Sequence, residues 1–377
     1  MEAIVGKVQP VVEGLFAYLH AHPEVSWKEI GTTAYLKAFL ENEGFMVETF
    51  PDTTGLVVTV GSGSPCVGLR TDIDALWQEV DGVYQANHSC GHDAHMAMVT
   101  GALLMLKELG IPKKGTLKVL YQPAEEKGSG ALSFIDQGVV DDIDHLYGVH
   151  LRPQEEARTG YATPAILNGA AKLMNGKIKG TDAHGARPHQ GQNAIEVMAM
   201  LVQAIHSIHL DPMIPHSAKV TMFQAGGESA NIIPGTGVFS VDMRGQTNRV
   251  MDRLYGEVQG AIQSVASYFK VEIETTLTAE IAAAQVDEGA VERMAEAIGQ
   301  TLGAERILPR SVTPGGEDFH YYTLKRPHIK ATMLGLGCDL GPGLHHPKMS
   351  FDQKSLMAGV EILTRVVKAT FEQTDME

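Results

Sequence analysis

The chain has 377 residues, 44% of them hydrophobic and 20% charged, a balance that fits a globular protein too long for one ordinary core and suited to two domains. Its formal net charge of -15, with no local basic patch, argues against nucleic acid as a partner. Cys66, Cys90 and Cys338 form no disulfide framework, the first residues lack the features of a secretory signal, and no apolar run approaches the roughly 18 residues of a membrane span, so a cytoplasmic protein is expected.

Helical spacing of apolar residues predicts helices over 3–20 and 28–43, followed by the β-rich runs GLVVTVG (55–61) and PCVGLRTDID (65–74). A helix over 93–109, a strand over 116–123, a helix over 129–137 and a strand over 145–150 continue the pattern, which implies an α/β domain with a mainly parallel central sheet. The next stretch reads strand 171–180, helix 192–208, strands 217–225 and 235–243, helix 248–268 and strand 270–276. That order, β-α-β-β-α-β, is ferredoxin-like. Helices over 289–302 and 317–324, a strand over 328–337 and a helix over 353–372 then resume the first style. The expected organisation is one domain from 1–167 and 280–377, with 168–279 inserted as a second.

Function in an open α/β sheet gathers beyond the carboxyl ends of the strands. Here those ends carry Asp72 and Asp74, the pair Glu125 and Glu126, and His150. The stretch NHSCGHDAHM (87–96) adds Cys90, His92, Asp93 and His95 at a loop and helix start, and LGPGLHHPKMSF (340–351) adds His345 and His346. Thiolate, imidazole and carboxylate together are the donors of zinc or a similar transition metal. Each element has a plainer reading: Cys90 as a small buried hydrophobe, His92 and Asp93 as a helix start, Glu125 and Glu126 as a paired-acid helix start, and HHP as a turn. Coincidence of all of them at one sheet edge favours a metal site.

The ordered set LHAHPEVSWKE (19–29), RTDIDAL (70–76), HSCGHDAH (88–95), QPAEEKGSGA (122–131), YGVHLRP (147–153), PGGEDFHYY (314–322) and LHHP (344–347) resembles the metal-dependent amidohydrolases that include hippurate hydrolase, bacterial N-acyl-amino-acid deacylases and plant auxin-conjugate hydrolases. The resemblance implies a zinc-exopeptidase-like catalytic domain with an inserted ferredoxin-like lid and dimerisation domain. It implies metal ligands at Cys90, His92, Glu126, His150 and His345, with Cys90 between two divalent ions per subunit, zinc first and manganese, nickel or cobalt as alternatives. His345 is preferred over His346, and His95 stays open. Glu125 becomes the general base, and Asp72 the acid that orients a ligand or the base.

In the inserted domain the same resemblance implies that His184, in GTDAHGARPH, reaches the opposing subunit's site to stabilise the oxyanion, which makes a homodimer the expected assembly. Asn231 and Arg244 would bind substrate, Arg244 through its carboxylate, and Gly315 and Gly316 would let backbone approach it. Turn capping by Asn231 and a surface ion pair at Arg244 are the plainer readings.

The implied reaction is hydrolysis of the amide of an N-acyl amino acid by water activated at the metal, with Glu125 moving the proton. A metallo-dipeptidase is the nearest alternative. A thiol enzyme using Cys90, which would need a partner histidine and an exposed thiolate, and a non-catalytic metal-binding protein, which has no need of Glu125 and His184, are the readings from other classes.

Overall fold

A computed structural model describes residues 2–374. The chain divides into two compact units: Met1–Leu167 with Gln285–Val312 and Asp318–Glu377, and Asn168–Ala284 with Thr313–Glu317. The second unit thus runs to Ala284 rather than 279 and takes in the glycine pair Gly315 and Gly316. The cause is local: the Gly169 N–H donates to the Thr313 carbonyl at 3.0 Å, and Asn168 Nδ2 donates to the Gly315 carbonyl at 3.1 Å.

The first unit is built on a seven-stranded sheet in the order Val47–Thr49, Leu56–Ser62, Gly115–Gln122, Cys66–Asp72, His145–Pro153, Lys330–Leu340, Ala162–Thr163. The four strands from Gly115–Gln122 to Lys330–Leu340 run parallel, and antiparallel strands flank them. Burial on both faces explains the sequence of the central strands. Every residue of Cys66–Asp72 is buried, and its run is apolar until Arg70, with the charged residues gathered at the carboxyl end.

Helices cover that sheet. His92–Glu108 is buried from His92 through Leu106, and it packs with the helices Glu2–Ala21 and Leu356–Thr374 through a core containing Val12, Leu15, Val99, Leu103, Val360 and Leu363. Between Cys66–Asp72 and this helix stands a hairpin, Leu76–Val80 with Val83–Asn87, that the periodicity of the sequence did not announce. A signal was present in the turn: two alternating runs separated by Asp81 and Gly82, both at positive φ (51° and 85°), form the connection that strand twist favours.

The second unit has its own core around Met174, Leu201, Phe239, Leu254 and Val258. Four antiparallel strands, ordered His216–Ala225, Thr236–Gly245, Ala170–Lys179 and Glu272–Ile281, carry the helices Ala194–His206 and Asn248–Phe269. Val250, Met251, Leu254, Val258, Ile262 and Val265 mark one helical face of the latter, and Thr247 caps it by accepting the Val250 N–H.

Candidate metal centre

Three loops of the first unit meet the strand His145–Pro153, within which His150 stands three residues before the end. Gly91 stands between Cys90 and His92 at φ 88°, and a Cβ there would lie 2.9 Å from Leu151 Cδ1, so the turn into the helix requires glycine. The acids are presented by a single 3₁₀ turn, Glu125–Lys127, entered through Ala124 at φ 51°. Buried Glu29 fixes that entry: its Oε1 accepts the Ala124 N–H at 2.9 Å and its Oε2 accepts the Thr54 hydroxyl at 2.6 Å.

The donors fall into two groups that share one thiol. Cys90, His92 and His150 offer ligand atoms within 4.8 Å of one another, and so do Cys90, Glu126 and His345. His92, Glu125 and Glu126 form a further such group. Hydrogen bonds set the imidazole tautomers. His150 Nδ1 donates to the Leu151 carbonyl at 2.7 Å, leaving its Nε2 lone pair 3.5 Å from Cys90 Sγ. His92 Nδ1 donates to the Asp74 carbonyl at 2.9 Å and Asp74 Oδ1 at 3.1 Å, so its Nε2 also presents a lone pair.

Whether the residues suit a metal is decided by what they lack. His92 Nε2 and Glu126 Oε1 are buried without a hydrogen-bond partner, a cost of roughly 1–3 kcal/mol per group that cation ligation would relieve. Burial, with Glu126 beside it, pushes the Cys90 thiol well up, while burial first and then His95 and Arg152 push the His150 imidazole well down. The lone pair of His150, a thiol that a cation would deprotonate and a carboxylate fit a transition metal; burial lowers the His92 imidazole, but Asp72 and Cys90 outweigh that and hold it well above its usual range, so an ion would also expel a proton there.

The remaining candidates divide cleanly. His95 forms another group of nearby donor atoms with Asp72 and His92, but its Nδ1 is engaged by Asp72 Oδ1 at 2.8 Å and its Nε2 accepts the Leu151 N–H at 3.0 Å. His345 Nε2 lies 3.4 Å from Glu126 Oε1, whereas His346 Nδ1 accepts the Lys348 N–H on the surface. Glu125 Oε2 sits 3.9 Å from His92 Nε2, and its Oε1 accepts the Asp318 N–H at 3.4 Å.

Asp72 does not orient a ligand through a hydrogen bond. It pairs with Arg70 Nη1 at 2.9 Å and with His95, and stands 3.7 Å from His92 Nε2. Burial raises its carboxyl, but the charges of His92, His95 and Arg70 outweigh that and hold it well below the usual range. The acid that hydrogen-bonds His92 is Asp74, which also accepts the Ser26 hydroxyl at 2.6 Å and the Glu126 N–H at 3.1 Å. The second carboxylate of TDID was the available clue.

In the second unit, His184 and Asn231 are neighbours. His184 pairs with Ile232 in a two-residue ladder, and the next N–H, from Gly185, donates to the Asn231 carbonyl at 2.7 Å. Both side chains are exposed. Arg244 lines a cavity of about 240 Å³ with His216, Ser217 and Gln246, and its guanidinium is engaged by Asp242 through Nε and Nη2, each at 2.9 Å. Gly316 is explained by packing within the unit, since a Cβ would lie 2.9 Å from Ile281 Cγ2.

The model of Peptidase family M20/M25/M40 matches residues 68–369. N-acetyl-L-cysteine deacetylase of Bacillus subtilis (strain 168) is 28% identical over 96% of this chain and 88% of its own length. A chain of the p-aminobenzoyl-glutamate hydrolase of Escherichia coli (strain K12) is 30% identical, covering 83% of this chain and 76% of its own. Among solved structures, the Bacillus subtilis YXEP protein, described as a dinuclear metal binding peptidase from the M20 family, superposes with a TM-score of 0.82 at 23% identity over 99% of both chains. With a family match that spans most of the chain and takes in the residues that build this centre, the protein belongs to Peptidase family M20/M25/M40.

Proposed function

We propose that the protein is a metal-dependent amidohydrolase that releases amino acids from N-acyl amino acids. The observation that carries this reading is the pair of donor groups sharing Cys90, with Glu125 next to both His92 and the ligand Glu126. Cys90, His92 and His150 would hold one divalent ion, and Cys90, Glu126 and His345 the other. Zinc fits the thiolate and imidazole donors, with manganese, nickel or cobalt able to take the same set. Bound there, such ions supply Lewis acidity, polarising an amide carbonyl and acidifying water to a pKa of about 7.

This chain's own part in the chemistry is proton movement and orientation. Glu125 accepts a proton from the attacking water and returns it to the departing amine nitrogen. Asp74 holds His92 in the tautomer whose Nε2 faces the donors. His184 would contribute an oxyanion donor in a homodimer, as the resemblance implies, and Asn231 and Arg244 would bind the substrate, Arg244 by exchanging Asp242 for the substrate's carboxylate. Supporting this, all three lie on one unit, with the His184 and Asn231 side chains exposed. Buried free thiols at Cys66, Cys90 and Cys338 support the cytoplasm as its compartment.

The test is amino-acid release from N-acetyl, N-benzoyl and longer N-acyl amino acids beside a set of dipeptides, comparing metal-loaded, chelated and Glu125→Gln protein. We expect metal-dependent release from one acyl class, lost by about 10²-fold or more in Glu125→Gln while both ions stay bound. Turnover confined to dipeptides would replace the proposal with a dipeptidase, and a fully active Glu125→Gln would remove the base.

A further inference from the structure

The last metal ligand, His345, is held in an unusual way. Its side chain is 55% exposed, whereas those of His92 and His150 are buried, so packing does not fix its ring. Its backbone is left-handed, at φ 63°, a conformation that a residue with a side chain keeps only where its surroundings impose it. Three anchors impose it here. The His345 N–H donates to the Ser89 carbonyl at 2.8 Å, one residue from Cys90. The His345 carbonyl accepts Gln78 Nε2 at 3.0 Å, and the Pro347 carbonyl accepts Asn87 Nδ2 at 3.0 Å.

Gln78 and Asn87 belong to the hairpin that precedes the metal-binding loop, one on each strand, and they lock each other, since Asn87 Nδ2 also donates to Gln78 Oε1 at 2.8 Å. At the hairpin's turn, Asp81 meets Lys348 of the same loop at 2.9 Å. The loop is closed at its base by the reciprocal bonds of Gly341 and Ser350. Leu344, Met349 and Phe351 pack against the core on either side, which tethers the loop but leaves the peptide of His345 to be oriented by the hairpin.

We propose that the hairpin Leu76–Asn87 is a latch for the second metal position, and that Gln78 and Asn87 are positioning residues that hold His345 in its ligating pose. The inference rests on the metal-centre reading above and adds to it a control over one ion and not the other. Cys90, His92 and His150 take no hydrogen bond from the hairpin pair, so the ion they hold is independent of the latch.

The experiment titrates cobalt(II) into metal-free full-length protein, following the thiolate-to-cobalt absorption and the bound metal per chain. Wild type, the double variant Gln78→Ala/Asn87→Ala, the isosteric Gln78→Glu and His345→Ala are compared. The latch predicts that the first ion binds every variant with wild-type affinity, and that the second binds the double variant and Gln78→Glu about tenfold or more weakly, the usual effect of removing a residue that orients a ligand. Gln78→Glu keeps the hairpin backbone and side-chain size, so it carries the test if the double variant misfolds. Wild-type affinity for the second ion in Gln78→Glu and the double variant, with its loss in His345→Ala, overturns the latch and leaves the metal centre standing. Wild-type affinity in His345→Ala overturns His345 as a ligand and the latch with it. Equal weakening of both ions in the hairpin variants also overturns the latch, because that marks a general structural role.

Discussion

Substituting Asp74 by asparagine isolates what that buried carboxylate does for the metal centre. One oxygen accepts His92 Nδ1 at 3.1 Å, and the other accepts the Ser26 hydroxyl and the Glu126 N–H. Asparagine has a single acceptor oxygen. If it faces His92, its NH₂ confronts the Glu126 N–H; if it faces Glu126, the bond to His92 is lost. Either way the new NH₂ is turned on a buried N–H, that of Glu126 or that of His92 Nδ1, which then keeps only the Asp74 carbonyl at 2.9 Å; at a cost of about 1–3 kcal/mol and 1.4 kcal/mol per factor of ten, the expected loss of ion affinity is about 5- to 140-fold. Chelator competition with a chromogenic indicator measures it, and thermal unfolding of the metal-free protein confirms the fold. Asp72→Asn should behave differently: it breaks a buried pair with Arg70, so its main effect is a fall in stability of about 3 kcal/mol. Unchanged ion affinity in Asp74→Asn, with the affinity loss appearing in Asp72→Asn instead, would show that the roles of the two acids have been exchanged.

Gly91→Ala forces a side chain into φ 88° against Leu151, so unfolding should become easier by about 1–2 kcal/mol and ion affinity should drop, measured by denaturant titration and metal content. Because burial holds the Cys90 thiol high, metal uptake must expel its proton: ion affinity should rise with pH, and Cys90→Ala should lose both ions by metal analysis. Saturation at about 100 times the dissociation constant should stabilise the fold by about 2.7 kcal/mol, seen as a higher Tm than in chelator. Burial first, then Arg293 and Lys330, push the His145 imidazole down to about 4 against the opposing pull of Asp144 and Asp287. The unfolded chain binds that proton near 6.5, so this stability is complete above pH 6.5 and is lost as pH falls towards 4. His145→Asn should flatten the acid limb of Tm against pH, and an unchanged limb would refute the shift.

The main elements were legible because each rests on a local period: alternation or continuous burial for strands, and a 3.6-residue face for helices. The segments that carry the candidate donors were legible because such chemistry concentrates donors at strand ends and helix starts, as in NHSCGHDAHM and QPAEEKGSGA. The hairpin was missed although Asp81–Gly82 marks its turn, because its strands are short and its exposed Trp77, Val83 and Tyr84 give no core signal.

By itself the sequence determined the two layered architectures and the residues able to hold metal. Tertiary structure decided the partners of those residues: that Asp74 and not Asp72 hydrogen-bonds His92, that His95 is spent on Asp72 and Leu151, and that the His345 and Pro347 carbonyls accept from Gln78 and Asn87. These are choices among chemically similar side chains, made by partners such as Gln78 and His345 that lie 267 residues apart, or Arg70 and Asp318, 248 apart. Local periodicity fixes which face a side chain points from, but a hydrogen bond is settled only when the chain's distant segments arrive within about 3 Å.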